Sequence, residues 1–350
     1  MALVVAAIAG GVTATATAAI SDITSLTSTI TTAPSVTKTG LSGYGASYSI
    51  YQPAETYSLN YNGEDDAVKT VTAGSLGTYM VSSLGNVVVR RGATGGNNDT
   101  VWYAGSGNGA NGSTVTLDGP LVSGFNQALS SNNLLMGADN VFSNMGNAVG
   151  NNTNVDRIDV MFTAGFVASA NQAFSIMDRG PSNDHDAFKI AAITSLTNGA
   201  PSGYGPLISF SDGTWGETNL VPTQEENIVR ESDSVSNTTF HPSDSTAQSI
   251  GGVLVQANSL VPAGTTIYGY SLFAANVAGT GSELVNWTNT TYFPPADSTS
   301  TGGGLDPVAT LAALYTPAPV PEPASCTLIA AALGGMLARR PKRNQKLNIA

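Results

Sequence analysis

Apolar and polar residues alternate with a period of two along much of this chain. The pattern recurs in Gly45-Ala-Ser-Tyr-Ser-Ile-Tyr51, in Tyr57-Ser-Leu-Asn-Tyr61 and in Ser113-Thr-Val-Thr-Leu117. Successive side chains of a strand point to opposite faces, so each run predicts a half-buried strand. Thr100-Val-Trp-Tyr-Ala104 and Val87-Val88-Val89, running into Arg90-Arg91, predict two more. Denser apolar runs predict core strands: Arg157-Ile-Asp-Val-Met-Phe162, Ala173-Phe-Ser-Ile-Met177, Ala187-Phe-Lys-Ile-Ala-Ala-Ile-Thr194, Pro206-Leu-Ile-Ser-Phe210 and Gly252-Val-Leu-Val-Gln256. The clearest is Thr265-Thr-Ile-Tyr-Gly-Tyr-Ser-Leu-Phe273. Residues 21–39 read as an edge strand on Ile23, Leu26 and Ile30, with a Ser/Thr-rich linker as the alternative. Asn62-Gly63 predicts a hairpin turn and Asn198-Gly199 another turn, because both residue types tolerate a positive φ.

Residues 121–136 carry the best helical pattern, short and interrupted by Gly124. Residues 286–304 read as loop, and 307–316 as a short closing turn or helix. Strands this short and this closely spaced, without a fixed repeat, predict an all-β body of β-sandwich or jelly-roll type. The Asn-rich stretch 146–154 is the place for a boundary if the body holds two sandwiches.

Composition supports this reading. Only 11% of residues are charged. The exposed faces of long soluble helices are usually built from Glu, Lys, Arg and Gln, which are scarce here. Apart from the last twenty-eight residues and Glu322, the chain holds eight basic against 23 acidic residues, a net of −15. A body so acidic repels nucleic acid and anionic lipid headgroups, so no nucleic-acid partner is expected. The single cysteine, Cys326, lies near the end, so no disulfide supports the body and no Cys/His zinc spacing exists.

The two ends differ in kind. Met1 to Ile20 is apolar and rich in small residues, with Ala14-Thr15-Ala16 and Ala16-Thr17-Ala18 as overlapping cleavage sites. Residues 1–18 therefore read as a signal peptide with a helical apolar segment. A signal of this type begins with basic residues, and none precedes Lys38, so a start further upstream is expected. At the other end 317–323 (PAPVPEP) form a stiff spacer, 324–338 an apolar helical segment and 339–350 a basic tail. The segment is shorter than the roughly 20 residues of a full span, so its insertion in the membrane is read as transient. Arg339, Arg340, Lys342 and Arg343 would hold the cytoplasmic side and stop transfer.

The order Val320-Pro321-Glu322-Pro323-Ala324-Ser325, apolar run, basic cluster resembles the PEP-CTERM sorting signal of Gram-negative bacteria. The resemblance covers about a tenth of the chain. It implies that Pro321, Glu322 and Pro323 mark the processing site, that an exosortase-like enzyme is a partner, and that the mature form resides at the outer surface or in the extracellular matrix. The same tail carries the label "ice-binding protein C-terminal", which describes an address. Outside Thr13–Thr17 no regular Thr spacing is evident along the chain, so no thermal hysteresis is expected of residues 19–316. The body also resembles exported proteins with the same tail and no assigned activity, in stretches such as NVDRIDVMF and YGYSLFA.

Candidate chemistry is sparse. The densest polar stretch runs from Asp178 to Asp186 and includes His185. Asp178, Asn183, Asp184 and Asp186 are the oxygen donors a flexible calcium site would use, although the spacing is not that of an EF-hand. The alternative is a solvated turn with an exposed histidine. His241 falls in a second polar loop. No nucleophile elbow, zincin helix or phosphate loop is present, and no catalytic residue is assigned. Asp156/Asp159 and Glu225/Glu226 read as solvated carboxylate pairs. Trp102, Trp215 and Trp287 are core anchors or, less simply, a sugar-stacking platform. The expectation is an exported, non-enzymatic structural or adhesive protein, with exopolysaccharide as a candidate partner. A secreted carbohydrate-binding or polysaccharide-acting protein is the alternative.

Overall fold

The computed structural model describes residues 19–43, 55–92, 99–106, 114–122, 124–142, 155–180, 185–216, 218, 220–224, 226–231, 238–242, 248–294 and 304–319. The chain divides into two units, residues 1–317 and 318–350; only 318 and 319 of the second are described. The first unit is all-β, and its strands form two sheets. In chain order they are β1 (Ile20–Asp22), β2 (Ser25–Thr32), β3 (Val36–Gly43), β4 (Glu55–Tyr61), β5 (Glu64–Ala73), β6 (Gly77–Leu84), β7 (Asn86–Arg91), β8 (Asp99–Ser106), β9 (Thr114–Leu117), β10 (Asn133–Ala138), β11 (Val155–Val167) and β12 (Ala173–Gly180). They continue as β13 (Phe188–Thr197), β14 (Ala200–Tyr204), β15 (Ile208–Phe210), β16 (Val221–Gln224), β17 (Glu226–Glu231), β18 (Thr238–Pro242), β19 (Gln248–Gln256), β20 (Thr266–Ala274), β21 (Val308–Ala309) and β22 (Ala313–Pro317). Two short helices, α1 (Phe125–Leu129) and α2 (Ala257–Leu260), complete the described elements together with single 3-10 turns.

The smaller sheet is antiparallel, in the order β14-β13-β20-β11-β7, with β15 beside β13. Its register sets Ile158 beside Leu272 and Leu272 beside Ile190, and likewise Val160, Tyr270 and Ala192. These rows face the main core. The rows between them, Arg157–Phe273–Lys189 and Asp159–Ser271–Ala191, face the other way. The Asn198-Gly199 turn joins β13 to β14 as expected. Both residues have positive φ (52° and 76°), the signature of a type I′ hairpin.

The larger sheet runs β1-β19-β12-β22-β6-β5-β10-β8-β17-β18-β3-β4-β9, with β16, β2 and β21 beside β19, β5 and β10. Its pairs are antiparallel except β18–β3 and β4–β9. Because β9 also pairs with β8, the last strands close on themselves as a ring of six. Strand β12 is buried along its whole length. Phe174 and Ile176 join the core beneath the smaller sheet, where Phe174 meets Tyr270 with ring centres 4.5 Å apart. Ala173 and Met177, on the opposite face, join a second core with Val71, Tyr79, Leu254 and Tyr315. Burial on both sides is why this strand reads as an almost unbroken apolar run. Residues before and after 146–154, such as Phe125 and Ile158, belong to the same core cluster.

Three expectations are corrected. Asn62-Gly63 is a tight turn, Gly63 having φ 69°, but it joins β4 and β5, which do not pair. Asn62 reaches instead to Asp118 (Nδ2–Oδ1 2.8 Å), and Gly63 accepts from the N–H of Ala33. A Cβ at Gly63 would collide with the Ala33 carbonyl. The helix expected over 121–136 is confined to α1; Leu134, Leu135 and Met136 lie on β10, buried on both faces, so a helical spacing of apolar residues there is incidental. Residues 313–317 form a strand between β12 and β6 rather than a closing helix, because Leu314 and Tyr315 pair with Phe174 and Ala173. The strand expected at 45–51 lies outside the described residues. Residues 21–39 supply the end of β1, all of β2 and the first half of β3.

Candidate functional site

Two buried polar clusters stand out, one on each sheet. The first lies on the outward rows of the smaller sheet. Arg157 and Asp159 sit two apart on β11 and so share a face; their side chains are 1% and 0% exposed. The Arg157 Nε lies 2.7 Å from Asp159 Oδ1, and its Nη2 donates to Oδ2 at 3.1 Å. Arg90 on β7 donates to the same Oδ2 at 2.9 Å. On the other side Ser271 donates to Oδ1 at 2.6 Å and Tyr204 at 3.3 Å. Burial first, and then the Asp159 charge, push the Tyr204 phenol far above its ordinary value, so it remains a proton donor. The second nitrogen of Arg157, Nη1, holds the carbonyls of Leu284 and Val285 at 2.7 and 3.0 Å. Both guanidiniums rest near the Trp287 ring, at 4.9 and 5.0 Å, while Trp287 Nε1 donates to the Arg91 carbonyl. Every oxygen of Asp159 is thus occupied. The cluster ties the 281–287 segment to the sheet and leaves no free base.

The second cluster lies at the end of β12. The Asp178 carboxylate is buried, with Oδ2 3.2 Å from His185 Nδ1 and also accepting the N–H of Asp186. Its Oδ1 accepts the N–H of Asp306 at 2.6 Å. The neighbouring Arg179 reaches Asp139 at 3.2 Å and Asp306 at 3.4 Å, and lies 4.7 Å from the centre of the Trp102 ring. His185 is buried against Trp215, ring centres 5.3 Å apart. Gly251 is needed there: a Cβ would collide with His185 Nε2 and the Gly216 carbonyl. Burial alone would push the imidazolium down. The Asp178 bond and charge, the Gly216 carbonyl and the Asp186 charge outweigh it, and the pKa is raised from its ordinary value.

The residues singled out in the sequence are therefore distributed as follows. Asp178 and Asp186 come together around His185, but Asp178 spends both oxygens on internal partners; Asn183 and Asp184 lie outside the described residues. His185 is buried rather than exposed on a solvated turn, because Asp178 supplies the counter-charge that makes burial tolerable. Asp159 is no solvated carboxylate. Asp156, three residues earlier on β11, occupies a bulge between the pairs Val155–Arg91 and Arg157–Arg90, and burial raises it to about 7. Glu225 is outside the described residues, and His241 belongs to strand β18 rather than a loop. Trp102 and Trp215 are buried in separate places and offer no joint stacking surface; Trp287 is partly buried beside the arginines. Pro321, Glu322, Pro323 and the tail beyond them lie outside the described residues.

Sequence reading missed Arg157, Arg179, Asp139, Asp306, Tyr204 and Ser271. One signal was available: Arg157-x-Asp159 places two opposite charges on one face of an otherwise apolar strand. The statement about threonine spacing is also corrected. On β2 Ser25, Thr27, Thr29 and Thr31 alternate, and the register sets Thr27 against Thr70 (Oγ1–Oγ1 2.7 Å), and Thr72 against Thr78 (2.9 Å). The alternation within β2 is present in the sequence; the register adds only its pairing with Thr70 and Thr72 on β5.

Among the described residues no three His, Cys, Asp or Glu side chains converge as a metal-holding group, and no helix is long and apolar enough to cross a membrane. No protein-family model matches the chain, and no curated protein or solved structure matches it.

Proposed function

We propose that this is an exported, non-enzymatic structural or adhesive protein of β-sandwich or jelly-roll type, delivered to the outer surface or extracellular matrix by its C-terminal sorting tail. The observation that carries the reading is the order Pro321-Glu322-Pro323, apolar 324–338, then Arg339, Arg340, Lys342 and Arg343. An uncharged run with a basic stop enters a membrane and halts there. Supporting it, two elaborate polar clusters are buried and internally paired, which suits a body whose charges hold it together. A glycosidase needs two carboxylates facing one cleft; Asp159 and Asp178 are both engaged by internal partners.

Cell fractionation with intact-mass analysis tests the proposal. The mature surface form is expected to end near Pro323, and replacing Pro321, Glu322 and Pro323 by alanine should hold a longer form in the membrane. Surface-localised protein that still contains Cys326 would overturn it.

A further inference from the structure

The segment that the Asp159 cluster fastens to the smaller sheet carries a motif that the cluster does not use. Residues 286–291 read Asn-Trp-Thr-Asn-Thr-Thr, two Asn-x-Thr triplets in succession. Such a triplet is the acceptor sequence for N-linked sugar in exported proteins, where it falls on a surface loop. Four further Asn-x-Ser/Thr triplets begin at Asn98, Asn111, Asn151 and Asn237, and all four asparagines lie outside the described residues. The hydroxyl residue of the Asn98 triplet, Thr100, is buried. The first triplet of 286–291 is the opposite case. Arg157 Nη1 holds the Leu284 and Val285 carbonyls, and Trp287 Nε1 donates to the Arg91 carbonyl at 3.1 Å. Val285 and Trp287 are half-buried, while Asn286 and Thr288, alternating with them, are exposed. Asn286 Oδ1 accepts both the N–H (3.3 Å) and the hydroxyl (2.8 Å) of Thr288, closing an Asx turn. Among the described residues Asn286 Nδ2 has no partner.

We propose that Asn286 is a glycosylation site, the acceptor of an N-linked sugar from a donor activated as a phosphate ester. The reaction needs a nucleophilic amide nitrogen, and a carboxamide nitrogen is ordinarily a poor one because its lone pair is delocalised onto oxygen. Two donors on Oδ1 stabilise the imidol form, in which the nitrogen keeps an in-plane lone pair. Nδ2 then attacks the anomeric carbon of the sugar. The new C–N bond forms as the C–O bond to phosphate breaks. The phosphate leaves with the electron pair, one amide proton passes to a base of the transferase, and nothing is oxidised or reduced. A turn held against the sheet on both sides meets the transferase already ordered. Asn289 provides an internal comparison. Its Oδ1 accepts the Thr291 N–H at 3.1 Å, but Asn289 is half-buried, and among the described residues no hydroxyl bond joins it to Thr291. The sugar is therefore assigned to Asn286, and once attached it covers Asn289, three residues on. The inference rests on the geometry of this turn and stands whether or not the sorting tail acts as proposed.

Peptide mass mapping of the full chain isolated from its own cells tests it. The peptide that carries 286–291 should gain the mass of a sugar, with fragmentation placing it on Asn286 and occupancy there exceeding that at Asn289 several-fold. Asn286→Gln and Thr288→Val should reduce it to background. Thr288→Ser, which keeps the hydroxyl, should retain most of it, and Asn289→Gln should leave it unchanged, with melting temperature confirming the fold of each variant. Modification of chain still in the cytoplasm would assign a nucleotide-linked donor, and modification confined to exported chain a lipid-linked one. Asn286 unmodified in every fraction, sugar on Asn289 in preference to Asn286, or sugar that survives Thr288→Val would overturn the proposal.

Discussion

The two buried polar clusters solve the same problem with different chemistry. Around Asp159 the cations are guanidiniums, which stay charged at any ordinary pH, and the remaining donors are hydroxyls held protonated. Around Asp178 one cation is Arg179's neighbouring guanidinium but the group actually bonded to Asp178 is an imidazole. Both clusters fasten a distant segment to a sheet: 284–285 in the first, 185–186 and 306 in the second. The first fastening is indifferent to pH near neutrality and the second is not. The fold thus combines a permanent clasp with a titratable one, and the identity of a single cation decides which is which.

The largest expected effect comes from breaking the permanent clasp. Asp159→Ala leaves Arg157 buried without its counter-charge, and should cost about 3–5 kcal/mol, read from the denaturant midpoint at constant m-value. A loss below about 1 kcal/mol would show that water reaches the arginines.

Breaking the titratable clasp should cost less. Asp178→Asn keeps the shape but removes the charge, and the expected loss is about 1.5–3 kcal/mol, the worth of a charge-assisted bond. Because both Asp178 oxygens serve internal partners, the loss should be the same with and without millimolar calcium. A loss that appears only when calcium is present would make Asp178 a ligand instead.

The pH dependence then separates the two. The folded His185 pKa lies above its unfolded value of about 6.5. Its stabilisation is therefore complete below about 6.5 and disappears as pH rises through the folded value. Melting temperature should fall across that window in the parent chain, and the fall should flatten in His185→Gln. An unchanged slope in His185→Gln would remove the distinction between the clasps.

Asp156 contributes a pH dependence of the same sign. A carboxyl raised to about 7 by burial is comfortable when protonated and disfavoured when ionised, so its contribution falls between about pH 4 and 7. Asp156→Asn should raise the melting temperature at pH 8 and leave it unchanged at pH 3. A rise of equal size at both would assign the gain to packing.

Much of the fold was legible. β11, β13 and β20 carry their own pattern, because strands buried on a common core must place an apolar side chain at every second position. Asn198-Gly199 was also readable, since its two positive φ values serve the two strands that flank it in sequence. Asn62-Gly63 has the same chemistry but a different outcome: its turn geometry is local, while the choice of partners for β4 and β5 is not. The candidate sites were less legible. Asp178 and His185 fall seven residues apart in one polar stretch, yet their burial depends on Asp306, Gly216 and Gly251, which arrive from distant parts of the chain.

The chain by itself determined the strand-forming stretches, the excess of negative charge and the order of parts in the tail, since these depend only on the periodicity, composition and sequence of nearby residues. Tertiary structure decided the rest. It made 133–138 a strand by burying both faces, and placed 313–317 between β12 and β6. It turned Asp159 from an apparent surface charge into the hub of a buried network, and it set Thr27 against Thr70. The physical reason is common to all four: a side chain's environment is fixed by strand register and by which sheet covers it, and both are set by residues far away in the chain.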